Sequence, residues 1–440
     1  SALSYKLLLN GSGVGRCYDD DMMVVDWDKA PRLQLELDAG HEDCTGAWLN
    51  EDTSGRWEKD SVLHTVQDSR EGWAKALELY ETMTFLEQSD KVLVLDFSNV
   101  RPSGAAINGM QGRPSCGPVP TMEAFKSVRD NVVGKGWPKW KQAMYIDHYF
   151  ANSVLVGGAR RAARIAVKYW QDPDILEYIS IKKGGDLWSA NNSVGVDEEF
   201  WDDADSDVQD NIRTIASDVF NAITNASYHD GTGEPGFLNL HKLNTDEDGL
   251  DWEELKKGNF VGSKKYQVEE DTKQLLGTIA GKVEHKKHKF IVNPCGEIVL
   301  NVLGGFCVIA DVVPYHCSYL EEFEDVCIQA TKALIRVNTM DSIYRGEVSR
   351  TNRIGLGLTG LHEWVWYSFG YSWKDITQGD CWELQHALQR VGGLVEGVSE
   401  GYSLSLGLTP PHTVTTIKPA GTTSKLFGLT EGCHLPAMAY

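Results

Sequence analysis

The chain has 440 residues, with 42 Lys and Arg against 63 Asp and Glu, a formal net charge of −21. An average field of that sign repels phosphates, which argues against a chain built to coat nucleic acid or an anionic membrane and leaves room only for a local anion pocket. Hydrophobic residues are 42% and charged residues 24%, too apolar for a disordered chain, so a globular protein with a sizeable core is expected.

In chain order, GSGVG (11–15) is a glycine turn without the G-x-G-x-x-G spacing or strand–turn–helix frame of a dinucleotide loop. DSREGWAKALELYETMTFL (68–86) has an acidic start and helical apolar spacing, and predicts a helix. VLVLDFS (92–98) predicts a compact strand feeding the Gly- and Pro-rich loop RPSGAAINGMQGRPSCGP (101–118). Residues 121–175 read as helical, with a break at GKGWP (134–138). Within them, SVLVGGARRAARIAV (153–167) sets two glycines and Arg160, Arg161 and Arg164 between apolar runs. That pattern is either a helix start with solvated arginines or a moving loop that touches phosphorylated ligands. WSANNSV (188–194) and GEPGFLNL (233–240) are loop-to-strand joins, and the lysine-rich segment 256–289 predicts a mobile hairpin or insertion. With no internal repeat and no long Pro- or Ser-rich linker, one large α/β domain over residues 1–440 is expected.

The longest central apolar run, 298–310, has 13 residues and holds Asn301, Gly304 and Gly305. Roughly 18 are needed to span a bilayer. The start, SALSYKLLLNGSG, lacks a secretory signal's basic opening and cleavage site, so a cytoplasmic location is expected. The nine cysteines are scattered and include no C-x-x-C pair, which leaves no zinc ribbon and no expected metal site.

The segment FIVNPCGEIVLNVLGGFCVIADVVP (290–314) carries the chemistry. Two apolar strands flank NPCGE and a third follows the glycine pair, which places Cys295 at a loop tip inside a barrel or cleft. On an extended backbone, side chains two apart point the same way. Asn293, Cys295 and Glu297 would then converge on one ligand as amide, thiol and carboxylate. Hydrogen abstraction beside a hydroxyl needs that set: the sulfur takes the hydrogen, the carboxylate the hydroxyl proton, and the amide orients the hydroxyl. Cys307 follows with 11 residues between and returns to the same cavity or is a core thiol. A Cys–His hydrolase is disfavoured, since an adjacent Glu raises a thiol pKa. Further on, TTIKPAGTTSKLFGL (415–429) sets Gly421, Thr422, Thr423 and Ser424 before an apolar run. Either backbone amides receive a phosphate there, or the hydroxyls simply cap a helix.

These residues resemble a known family. NPCGEI, GGFC and KPAGTTSKLFGLTEG, with DSREGW, VRPSGAAING, GRPSCGP, VGGARRAARI, SANNSV, GEPGFLNL and TNRIGLGLTGLHEW in family order, are similar to the catalytic subunit of ribonucleotide reductases, most of all the adenosylcobalamin-dependent (class II) branch. The likeness runs over residues 11–436. It implies a ten-stranded α/β barrel of two antiparallel half-barrels, with a central finger loop carrying Cys295. It further implies that Cys295 becomes a thiyl radical and takes the 3′-hydrogen of a ribonucleotide. Glu297 would take the 3′-hydroxyl proton, Asn293 would hold the ribose hydroxyls, and Cys307 would belong to the redox pair that closes to a disulfide. Ala420, Gly421, Thr422, Thr423 and Ser424 would hold the substrate phosphates. Gly157, Gly158, Arg160 and Arg161 match the loop through which a deoxynucleoside triphosphate or ATP effector tunes substrate choice, with Asp147 as a further effector contact.

Against the family pattern, the first redox cysteine has no clear counterpart: Cys17, Cys116 or a residue before the start would take the part. The usual C-terminal tail and an N-terminal ATP-cone are not seen in the sequence. The radical source is adenosylcobalamin or a separate metal-containing subunit. Monomeric relatives carry an added insertion that imitates a dimer contact; no segment reads as long enough, so a homodimer is expected. Implied partners are a ribonucleotide, the effector and a thiol reductant, with no nucleic acid or membrane. A catalytically inactive nucleotide-binding relative is the alternative from another class.

Overall fold

The structure is a computed structural model that describes residues 1–45, 61–108, 112–155, 162–210, 214–229, 231, 233–243 and 249–434. It is mixed α/β and divides into two compact units, Ser1–Asn259 with Val268–Pro294, and Phe260–Gln267 with Cys295–Tyr440.

The strands of the first unit are β1 (Val14–Cys17), β2 (Arg32–Glu36), β3 (Ser61–Thr65), β4 (Val92–Asp96), the short β5 (Ala106–Ile107) and β6 (Arg113–Pro114), β7 (Arg164–Tyr169), β8 (Asn191–Val196), β9 (Gly236–Asn239) and β10 (Phe290–Val292). One parallel sheet has the order β1-β7-β8-β9, with Val14 opposite Arg164, Ile165 opposite Asn191 and Ser193 opposite Gly236. A second parallel sheet has the order β2-β4-β3. Its central strand is covered on both faces, which is why VLVL at 92–95 is apolar without alternation and wholly buried. Parallel neighbours need a crossover. The helix Arg70–Phe85, inside the predicted 68–86, supplies it between β3 and β4, and the Ser69 hydroxyl caps it by accepting from the Gly72 amide at 2.9 Å. Under the first sheet, Trp140 meets Tyr178 and Trp170 meets Phe200, edge to face, in the unit's core.

The helical reading of residues 121–175 holds for Val119–Asn131 and Lys139–Leu155. The break between them contains Gly134 and Gly136 at positive φ, whose amides donate to the two Asp28 carboxylate oxygens at 2.7 and 3.0 Å. Beyond residue 163 the reading fails, because Arg164–Tyr169 is β7, an inner strand. A short continuous apolar run fits a buried strand as well as a helix. Arg164 is not a solvated arginine either. It is 5% exposed and donates to the Tyr18 hydroxyl at 2.6 Å and to Ser189. The segment expected as a mobile hairpin holds a regular helix, Glu270–Glu284, with Leu275, Leu276, Ala280 and Val283 buried and its charges on the other face.

The second unit contains β11 (Val299–Asn301), β12 (Val308–Val312) and β13 (Ile354–Leu358), the three apolar strands expected around NPCGE and the glycine pair being β10, β11 and β12. β12 and β13 are parallel, with Val308 opposite Ile354 and Asp311 opposite Gly357. The chain at 413–416 runs beside β13: Ile354 and Leu356 amides donate to Thr413 and Val414 carbonyls at 3.0 and 2.8 Å. The helices Leu320–Asn338 and Trp382–Ser405 cover this pair through Phe323, Ile335, Val391 and Val395. Among the described residues the sheets have four, three or two strands. No described helix is long and apolar enough to cross a membrane.

Candidate active site

The approach to Cys295 begins at the glycine turn. A Cβ on Gly15 would stand 2.0 Å from the Val292 carbonyl oxygen, and one on Gly13 would stand 2.7 Å from Pro294 Cγ. The glycines of GSGVG therefore let β1 lie directly against β10, the strand leading to the thiol, with no nucleotide required to explain them. Asn293 is buried at the end of β10, in the first unit.

A turn then runs through Pro294 and Cys295 and ends at Gly296, at φ +79°. The backbone from 293 to 297 is thus turned and not extended. The argument that side chains two apart share a side does not apply there, because a left-handed glycine rotates the residues after it. Cys295 is exposed at this turn, where the sequence places it inside a barrel or cleft. Even so, loss of solvent around the sulfur is the first cause that raises its thiol pKa above the ordinary 9.0, followed by the Glu297 carboxylate; Lys418 opposes them. Cys307, half-buried just before β12, is pushed up to about 12 by burial and then by Glu297, against Arg353. The Glu297 carboxylate therefore acts on both thiols, and all three residues belong to the second unit. Both sulfurs are protonated at neutral pH, the form that exchanges a hydrogen atom and not the form that attacks as a nucleophile.

Four residues to which the sequence gives no role complete this cluster. Thr416 Oγ1 donates to the Glu297 carbonyl at 3.1 Å. Asp311, on β12, lies with its Oδ2 3.4 Å from Lys418 Nζ, and Arg353 begins the approach to β13. Lys418 opens the recognised KPAGTTS and Thr416 stands two residues before it, Asp311 falls within the quoted segment 290–314 and Arg353 within TNRIGLGLTGLHEW, so each lay in a quoted motif without a role.

In the predicted phosphate loop, Gly421, Thr422 and Thr423 are exposed, whereas Ala420 and Ser424 are buried. The Ser424 amide is already bonded to the Ala420 carbonyl at 3.0 Å, and the helix Thr423–Leu426 is a single turn. Asp147 is 4% exposed in the first unit; its Oδ2 accepts from Arg16 at 2.6 Å and from the Tyr18 hydroxyl at 2.5 Å. Gly157, Gly158, Arg160 and Arg161 lie outside the described residues. Cys17 ends β1 with its thiol raised far above its ordinary value by burial and by Asp19, and the Cys116 thiol points to the Gly117 carbonyl at 3.6 Å.

A family model described as the insertion domain of B12-dependent ribonucleotide reductase matches residues 28–132. The adenosylcobalamin-dependent ribonucleoside-triphosphate reductase of Lactobacillus helveticus is 26% identical over 98% of this chain and 56% of its own length. Those of Levilactobacillus brevis and Lactobacillus leichmannii are each 28% identical, over 98% and 87% of this chain and 56% and 48% of their own. A crystal structure of a B12-dependent (class II) ribonucleotide reductase superposes with a TM-score of 0.66 at 23% identity, covering 99% of this chain and 57% of that one. The fold is thus of the ribonucleotide reductase type. Along nearly its whole length the chain is similar to the adenosylcobalamin-dependent enzymes named above, and it spans about half the length of the relatives it matches.

The match at 28–132 corrects one expectation. A segment that matches an insertion-domain model is present where none reads as long enough; it contains β2 to β6 and the helix Arg70–Phe85. In the sequence, a parallel sheet with a helical crossover reads as ordinary α/β domain.

Proposed function

We propose that the chain is the catalytic part of a ribonucleotide reductase that converts ribonucleotides to deoxyribonucleotides. The observation that carries the reading is the placement of the Glu297 carboxylate where it acts on two protonated thiols, Cys295 and Cys307. In this reading the Cys295 thiol gives up its hydrogen atom and, as a thiyl radical, takes the 3′-hydrogen of the sugar. Glu297 accepts the 3′-hydroxyl proton, and Asn293 holds the hydroxyls. The 2′-hydroxyl leaves as water, and the pair that includes Cys307 supplies two electrons and closes to a disulfide. The hydrogen atom returns from Cys295 to the 3′ carbon, and an external thiol reductant reopens the disulfide. All nine cysteines are free thiols in the structure, which suits a reducing cytoplasm.

The relatives' names contain adenosylcobalamin, and the exposed Cys295 fits a group that reaches the sulfur from outside the turn. Cys295 would face that group, which would supply the first radical. The same exposure suits a separate radical-bearing subunit, and this is the second reading. The ten-stranded barrel with Cys295 on its central loop, phosphate binding by residues 420–424 and effector binding around Asp147, Gly157, Gly158, Arg160 and Arg161 belong to the proposal. The likeness of fold and motif supports them. With an insertion present, the ground for a homodimer is gone, and the proposal is a monomer in which that segment replaces the dimer contact.

The test is dithiol-dependent formation of a deoxyribonucleotide from a ribonucleoside di- or triphosphate, with adenosylcobalamin and, separately, with a metal-containing radical subunit. Cys307→Ser is expected to stop repeated turnover; unchanged steady-state turnover would reduce Cys307 to a core thiol.

A further inference from the structure

The Asp311–Lys418 pair has no part in the reaction as written above, and its construction needs an explanation. The Asp311 side chain is only 8% exposed, and its Oδ1 is buried without a hydrogen-bond partner. Among the described residues its Oδ2 pairs with Lys418, at 3.4 Å. A buried carboxylate held this sparingly costs stability, so ordinary packing does not account for it. The strand opposite is shaped to admit it: a Cβ at Gly357 would come within 3.2 Å of Oδ1 and 2.9 Å of the Thr416 carbonyl oxygen. Lys418 is about three-tenths exposed, and an ammonium has three donors, so a single loose pair leaves donors to spare. Lys418 also stands two residues before Ala420, and its charge is felt at the Cys295 sulfur. It therefore stands near the reacting thiol and, along the chain, just before the exposed residues Gly421, Thr422 and Thr423. Lys425, further along, pairs with Glu431 at 3.4 Å.

We propose that Lys418 is a substrate-binding residue whose ammonium takes the phosphate attached directly to the ribose, and that Asp311 is the positioning residue that aims it. This rests on the reductase reading and deepens it, since it ties recognition to the phosphate that every ribonucleotide substrate shares. The cation bridges the sugar, whose 3′-hydrogen must reach Cys295, and the phosphate chain beyond. A di- or triphosphate is then bound by Lys418 in the same way.

The experiment is equilibrium binding of cytidine, cytidine diphosphate and cytidine triphosphate to the protein, with no radical source and a saturating deoxynucleoside triphosphate on any effector site. Steady-state kinetics accompany it. Lys418→Met is expected to weaken both nucleotides by the same factor, roughly tenfold or more for a lost charge-assisted bond. Cytidine should be unaffected, KM should rise with kcat little changed, and Lys418→Arg should recover part of the loss. Asp311→Asn should show a smaller loss of the same pattern. Unchanged nucleotide binding in Lys418→Met overturns the inference, as does a loss confined to the triphosphate, which would assign the lysine to a distal phosphate. If the wild-type protein binds nucleotides as described and makes no deoxynucleotide with either radical source, the reductase reading fails and the binding result still decides the role of Lys418.

Discussion

Thr416 ties the thiol-bearing turn to the neighbouring strand: its Oγ1 donates to the Glu297 carbonyl at 3.1 Å while its own amide donates to the Leu356 carbonyl at 2.9 Å. Gly355 leaves the room for this, since a Cβ there would stand 2.7 Å from Thr416 Cγ2 and 2.8 Å from Ile298 Cδ1. Thr416→Val keeps the shape and removes the side-chain bond, and is expected to cost about 1 kcal/mol in urea unfolding. Gly355→Val forces both contacts and is expected to cost about 1–3 kcal/mol. Wild-type stability in Gly355→Val would show that the turn is not held this way.

Thiol reactivity gives a second check. The thiolate is what an alkylating agent attacks, and a raised pKa moves its appearance to higher pH. Cys307 alkylation is expected to reach its midpoint near pH 12, and that of Cys295 above 9.0. Glu297→Gln removes a negative charge that acts on both sulfurs, so both midpoints should move down. Peptide mapping after pulses of iodoacetamide across pH reads this. A fall at only one cysteine would mean that Glu297 does not act on both sulfurs.

Asp147 has a structural role that the effector reading does not mention. Burial alone would raise its carboxyl pKa, but the charges of Arg16 and Arg164 and the Tyr18 hydroxyl hold it well below the usual range. A folded-state pKa below the unfolded value of about 3.9 adds stability that is present at neutral pH and lost as pH falls through that value and below. Asp147→Asn is expected to cost about 3–5 kcal/mol at neutral pH, as breaking a buried ion pair does. The gap to wild type should narrow in acid. Equal denaturation midpoints at pH 7 would show that the pair contributes nothing.

The local signals in the sequence proved reliable where chemistry or a cap lay close to the pattern. The helix over 68–86, the strand at 92–98 and the three strands bracketing NPCGE all follow from short-range spacing. The failures came from long-range facts. β7 was read as helix because only its place between β1 and β8 makes an apolar run a strand. The shared side of Asn293, Cys295 and Glu297 was inferred for an extended chain, and the positive φ of Gly296 removed that premise. Asp311, in the same segment as Cys307, and Arg353, in TNRIGLGLTGLHEW, are brought side by side by the pairing of β12 with β13, which no local pattern gives. The segment at 28–132 that matches the insertion-domain model has ordinary α/β periodicity, so its sequence does not set it apart.

The proposed monomer rests on the insertion-domain match at 28–132. Sedimentation equilibrium with effector present is expected to give the mass of one chain. A stable two-chain species would restore the homodimer and leave the segment at 28–132 without the contact role proposed for it.

The central claim is that a hydrogen atom leaves and returns through the sulfur of Cys295. The direct measurement is deoxynucleotide yield in a single turnover of pre-reduced protein with adenosylcobalamin, comparing wild type with Cys295→Ala at matched nucleotide occupancy. The account predicts product from the wild type and none from the variant, although both bind the ribonucleotide equally. Product from Cys295→Ala would contradict it.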